Sequence, residues 1–168
     1  MPRPALKTAS PYQSARANRF PYWFARISRA LSRHVAAYAG RELGLNLAEF
    51  RILLILCEVR SASVKDIAAD AALDKAQVTR TVAALVDRGL AVQAIETRDR
   101  RLRIVKASAA GRKLLQPMDE FMKKRQLRLE SKLASDEVKT LWSVLPRLLA
   151  EAEQMCIEEM LIARRTRR

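Results

Sequence analysis

The sequence predicts a mainly α-helical protein carrying one small β-hairpin. Apolar residues recur at helical spacing over most of the chain, side chains able to cap a helix precede several of those stretches, and one segment near residue 90 changes to the alternation of paired strands. With 168 residues, 49% hydrophobic and 30% charged, the composition is that of a folded globular chain with one real core.

Phe20, Trp23, Phe24, Ile27, Leu31, His34, Val35 and Tyr38 put one apolar stripe on a helix of about 20 residues, which Gly40 and Gly44 end. Asn46, with Glu49 three residues later, opens a second helix carrying Leu47, Phe50, Leu53, Leu54 and Cys57 on one face. The same spacing recurs at Ser63 with Asp66 and at Asp74 with Gln77, predicting two short helices over about 64–71 and 75–88. Gly89 stops the second of these in the left-handed conformation that glycine adopts at least cost.

Leu90 to Ile95, and then Leu102, Ile104 and Val105, read as the arms of a hairpin whose tip, Glu96 to Arg101, is too polar to bury. Ser108 caps a long helix to about residue 131, with a kink expected at Pro117. Ser135, followed by Asp136 and Glu137, caps another to about 162.

Charge narrows the partner. Thirty-two Lys and Arg against eighteen Asp and Glu leave a net charge of +14, which points to a polyanion and most simply to nucleic acid. No apolar run exceeds the six residues Ile52 to Cys57, so no membrane span is expected. The N-terminal stretch lacks the apolar core of a secretory signal, and two distant cysteines do not make a disulfide framework; the expected compartment is a reducing cytoplasm. One His and two Cys cannot build a structural zinc site, and neither metal nor cofactor is expected. With four glycines and no phosphate loop, nucleophile elbow or paired carboxylates, an enzyme is the least favoured class.

Two short helices joined by a tight turn, the second basic at its start, form a helix-turn-helix whose second helix enters the major groove. Val78, Val82 and Leu85 make its buried seam. Lys75, Ala76, Gln77, Thr79, Arg80 and Ala83 then face away, and all but Ala83 are candidate DNA contacts, the polar ones suiting phosphates and base edges. From Lys75 to Lys106 eight basic residues, Arg88 among them, stand against three acids. The hairpin tip adds Arg98, Arg100 and Arg101, with the reach to enter the narrower minor groove, and Asp99 is suited to fix one of these guanidinium groups by a bidentate pair. The predicted fold is thus a winged helix-turn-helix plus a helical dimerisation domain.

Over residues 20 to 160, and most sharply over DKAQVTRTVAALVDRGL and ETRDRRLRIVKASAAGRKLL, the chain resembles the MarR (multiple antibiotic resistance) regulators. The wing pattern of that family is met by Glu96, Asp99 and Arg101, with Glu in place of the usual Asp; its strand-to-helix junction appears as Ala107, Ser108 and Gly111, Ser replacing Thr. The resemblance implies a homodimer on a palindromic operator in double-stranded DNA, and repression relieved by a small aromatic anionic ligand. It also places a ligand cavity near the first, second and fifth helices, making Trp23, His34, Tyr38 and Arg51 candidates for an aromatic carboxylate.

The expected organisation is a basic arm over 1–19, a dimerisation region over 20–45 and 109–162, a winged helix-turn-helix over 46–108 and a basic tail over 163–168. The long terminal helices carry more apolar surface than the DNA-reading part can cover, and this too asks for a partner. Two competing readings remain. One is a non-sequence-specific architectural protein; the other is a redox-sensing regulator, disfavoured because Cys57 and Cys156 both continue apolar stripes where cysteine is usually inert.

Overall fold

The computed structural model describes residues 18–95 and 103–166. Helix α1 (Phe20–Tyr38) passes into a π-helical turn (Ala39–Leu43), which Gly44 closes at φ 61°. Helix α2 (Leu47–Glu58) follows, then strand β1 (Ala62–Ser63), helices α3 (Val64–Ala71) and α4 (Lys75–Asp87), strands β2 (Ala91–Ile95) and β3 (Arg103–Ala107), and the long helices α5 (Ala109–Glu130) and α6 (Ser135–Arg165). This is the predicted mainly helical fold with a small antiparallel wing. The chain divides into two compact units, up to Gln116 and from Pro117 onward.

Three caps hold where the spacing placed them. The Asn46 side chain accepts from the backbone N–H of Ala48 and Glu49 while Glu49 Oε2 accepts from Asn46 N–H, a complete capping box. Ser63 and Asp66 form a second. At α4, Asp74 accepts from Gln77 N–H at 2.8 Å without reciprocation. The Ser135 cap differs: Ala134, not Ser135, occupies the N-cap of α6, and Glu137 reaches back to Ala134 N–H at 2.8 Å. A carboxylate three residues into the helix satisfies that donor without a capping hydroxyl. Helix α5 continues through Pro117.

One strand was not foreseen. β1 lies beside β3 in the order β1-β3-β2, pairing Ala62 with Val105 and Ser63 with Ile104. Two residues carry no period, so only the tertiary fold reveals this strand. The β2–β3 ladder runs from Ala91 opposite Ala107 to Ile95 opposite Arg103.

The core of the first unit is built on α2. Phe50, Ile52, Leu53 and Leu56 are enclosed there, joined by Ile67 from α3, Val78, Val82 and Leu85 from α4, and Val105 from β3. The sequence reading put Leu54 and Cys57 on the buried face of α2, yet both are only half-buried. Apolar residues surround this helix, so the neighbours packed on it, rather than its own period, decide which side is innermost.

The junction of wing and α5 is tight. Ser108 Oγ donates to the Gly89 carbonyl at 2.7 Å and accepts from Gly111 N–H at 3.0 Å. Gly111 passes so close to the wing that a methyl group there would collide with the Leu90 carbonyl oxygen. Only a residue without a side chain fits.

Helix α6 is different in kind. None of its 31 residues is buried, and Trp142, Leu149, Met155 and Met160 are each more than half exposed. In α1 only Val35 is buried, leaving Phe20, Phe24 and Ile27 exposed.

Candidate nucleic-acid interface

Helix α4 is presented by its packing. Val78, Val82 and Leu85 lie one helical turn apart and are wholly enclosed, so the opposite face turns outward. Lys75, Ala76, Thr79, Arg80 and Ala83 are exposed on it, and Gln77 is half-buried. The Thr79 hydroxyl donates back to the Lys75 carbonyl at 2.8 Å, which spends its hydrogen inside the helix and leaves its oxygen as an acceptor. Among these side chains Lys75 and Arg80 supply the positive charge and Gln77 the amide. The small side chains of Ala76 and Ala83 leave room for a groove wall to approach.

Upstream, α3 ends at Ala72 in the left-handed conformation (φ 52°), and Leu73 N–H returns to the Ala68 carbonyl at 3.1 Å. This is the tight turn of the helix-turn-helix, made by an alanine where glycine would be unstrained. Downstream, the strands bracketing the wing tip form the expected hairpin. The proposed contacts Arg98, Asp99, Arg100 and Arg101 lie outside the described residues.

Arg88 has another task. Its guanidinium donates to Glu49 Oε1 at 3.1 Å and to the Gly44 carbonyl at 3.2 Å. Glu49 is 8% exposed and its second oxygen caps α2. Arg88 therefore ties the end of the outward-facing helix to the α1–α2 connection and is no longer among the cations available to a polyanion. The capping signal at Glu49 was legible; its partner 39 residues away was not.

The four residues proposed for an effector are spread out. Arg51 Nη2 donates to Ser32 Oγ at 2.9 Å, joining α2 to α1. His34 is exposed, while Tyr38 and Trp23 are half-buried. Trp23 packs edge-on against Tyr22 with ring centres 5.5 Å apart, and Arg41 sits 5.9 Å from the Tyr38 ring centre. Trp23 stands about 16 Å along the α1 axis from His34, given 1.5 Å of rise per residue, beyond the span of one small aromatic acid. Cys57 is half-buried, and burial raises its thiol pKa above the usual value, partly countered by Arg112. Cys156, expected within an apolar stripe, is exposed, as is the rest of that stripe among the described residues. No group of three metal-binding side chains occurs among the described residues.

A core-anchored helix-turn-helix followed by a strand hairpin defines a winged helix-turn-helix protein. The model of the MarR family matches residues 43–102. Among solved structures, a MarR family transcriptional regulator from Silicibacter pomeroyi is 25% identical, with a TM-score of 0.71 over 89% of this chain and 98% of that one. A MarR/EmrR family regulator from Acinetobacter sp. ADP1 superposes at 0.71 with 22% identity, over 80% and 94% of the two chains. The fold is also that of S. aureus MepR, solved as a DNA complex, at a TM-score of 0.70 and 17% identity, over 80% and 98%. No curated protein matches the sequence. Residues 43–102 thus match the MarR family, and the fold over most of the chain is similar to that of MarR family transcriptional regulators.

Proposed function

We propose that this regulator binds a palindromic operator in duplex DNA as a homodimer, with α4 in the major groove and the wing tip in the adjoining minor groove. The observation that carries the reading is the division of α4: a fully enclosed seam of Val78, Val82 and Leu85, and an outward face of Lys75, Ala76, Gln77, Thr79 and Arg80. Arg80 is assigned to a base edge and Lys75 to phosphate, with Arg98, Arg100 and Arg101 at the wing. The exposed apolar residues of α1 and, separately, those of α6 support the dimer, since a folded chain rarely leaves such stripes in water.

Operator selection from random duplex, followed by Arg80→Ala, tests the assignment. A loss of about 1 to 3 kcal/mol at the operator with relaxed specificity is expected. Equal loss on operator and random DNA would move Arg80 to phosphate, and a wild-type preference below about a thousandfold would favour an architectural protein instead. Arg101→Ala is expected to weaken binding as well.

For the outcome of binding, repression released by a small aromatic carboxylate is proposed, with His34, Tyr38 and Arg51 as its contacts. Arg51 already bridges α1 and α2 through Ser32, so an anion drawing it away would alter how those helices are held. Titration of aromatic acids against wild type and against a folded, DNA-binding His34→Ala protein tests this, and unchanged affinity would remove His34 from the site.

A further inference from the structure

The positive charge of this protein is distributed in a way that the DNA-reading helix does not explain. Residues 1–41 contain eight Lys and Arg and no Asp or Glu, the first acid being Glu42, so more than half of the net +14 lies before that residue. Within the described part, this charge is concentrated on α1. At 100° per residue Arg26, Arg29 and Arg33 fall within one narrow arc, and Arg19 stands just before the helix as its N-cap. The arc lies opposite the stripe of Phe20, Phe24 and Ile27. All four arginines are exposed.

One of the four is held in place. Arg26 Nη1 donates to the Tyr22 hydroxyl at 2.8 Å, with its guanidinium carbon 5.6 Å from the Tyr22 ring centre. This leaves its remaining N–H groups pointing into solvent from a fixed fork, which is how a guanidinium meets a phosphate at reduced entropic cost. An ordinary solvated helix face mixes both signs of charge; α1 has no carboxylate at all over its 19 residues. Three arginines on one helix face, with no ion pair among the described residues, repel one another unless an anion joins them.

We infer that the Arg26, Arg29 and Arg33 face of α1, with Arg19 at the start of that helix, is a second phosphate-binding surface for duplex DNA, separate from the α4 and wing contacts. The inference rests on the DNA-binding reading above and extends it. It assigns to this surface a sequence-independent, salt-sensitive share of the affinity, while α4 keeps the base readout.

The test uses the full-length protein and a random-sequence duplex of about 60 base pairs, with affinity followed by anisotropy across a salt series. Replacing Arg26, Arg29 and Arg33 together by Gln is expected to reduce the steepness of log K against log salt by about 2 to 3, roughly 0.9 for each phosphate that the variant no longer neutralises. The corresponding Lys triple is expected to retain most of that slope. If the Gln triple fails to fold by circular dichroism, the single variant Arg33→Gln is expected to lower the slope by about one. Combination with Arg80→Ala is expected to be additive in log K, as independent sites require.

An unchanged slope in a folded Gln variant, beside a wild type that binds DNA and an Arg80→Ala variant that binds the selected operator more weakly, overturns this inference alone. No duplex binding by the wild type overturns the DNA-binding reading with it. Loss of binding to phosphatidylglycerol vesicles with an intact DNA slope also overturns the inference, because the surface would then serve a lipid.

Discussion

Helices α2 and α6 are both rich in large apolar side chains, and only the first hides them. Ile52, Leu53 and Leu56 of α2 have no exposure at all, whereas Trp142 and Leu149 of α6 are each 61% exposed. Helix α2 is apolar nearly all round, whereas α6 sets its large apolar side chains among ten charged residues, so local sequence accounts for part of the contrast. The rest lies in neighbours: α3, α4 and the sheet pack around α2, while the large apolar side chains of α6 are exposed among the described residues. An unburied stripe of that length assigns its stabilisation to another surface, and the proposed dimer supplies one.

The contrast breaks most visibly at Leu56. Truncation by Leu56→Ala is expected to cost about 4 kcal/mol, within the usual range for an enclosed leucine, while Leu149→Ala should leave the stability of an isolated chain within about 0.5 kcal/mol and instead weaken self-association. Urea unfolding and light scattering over a dilution series read the two effects. Equal stability losses at both positions, with association unaltered, would show that α6 is covered by its own chain.

Gly111→Ala comes next. The added methyl meets the Leu90 carbonyl oxygen and, at 3.0 Å, Leu53 Cδ1, and a backbone oxygen cannot swing aside as a side chain can. A loss of about 3 kcal/mol is expected, with Gly111→Ser no better. A melting curve that superposes on wild type would mean the wing can shift away from α5 freely.

A smaller effect is expected at Arg88→Met, which keeps much of the volume but strands the Glu49 carboxylate. About 2 kcal/mol should be lost, and Glu49→Gln combined with Arg88→Met should recover part of it, because the stranded charge is then removed. A double variant as unstable as the sum of the singles would make the two residues independent.

The smallest effect concerns Cys57, whose thiol is pushed above the usual value of 9.0 chiefly by desolvation. A pKa raised by folding contributes stability that is fully present below the unfolded value and is lost as pH rises through the folded one. Stability should therefore fall slightly in alkali above pH 9.0 in wild type and less so in Cys57→Ala. Alkylation of Cys57 with a pH midpoint below 9.0 would contradict the shift and revive a redox role.

Much of the DNA-reading half was legible because its signals are local. Asn46 with Glu49, Ser63 with Asp66 and Asp74 with Gln77 each place an acceptor beside unpaired N–H groups a few residues away, so position and chemistry coincide in the sequence itself. The seam of Val78, Val82 and Leu85 follows from helical period. The pairing of Arg88 with Glu49 escaped, as did β1, because both join segments tens of residues apart. Arg88 was read as one more cation near the interface for the same reason.

By itself, then, the sequence determined where helices begin, which face of α4 turns inward, where the chain exchanges helix for hairpin, and that it carries a large positive charge with no acid before residue 42. All of these depend on interactions within about one helical turn or on simple addition of charges. Tertiary structure alone decided which side of α2 is innermost, which arginine is a structural clasp rather than a free cation, that Gly111 faces a carbonyl oxygen, and that α6 keeps its large apolar side chains exposed. Those outcomes depend on which distant surface arrives at a given face, and local spacing carries no record of that.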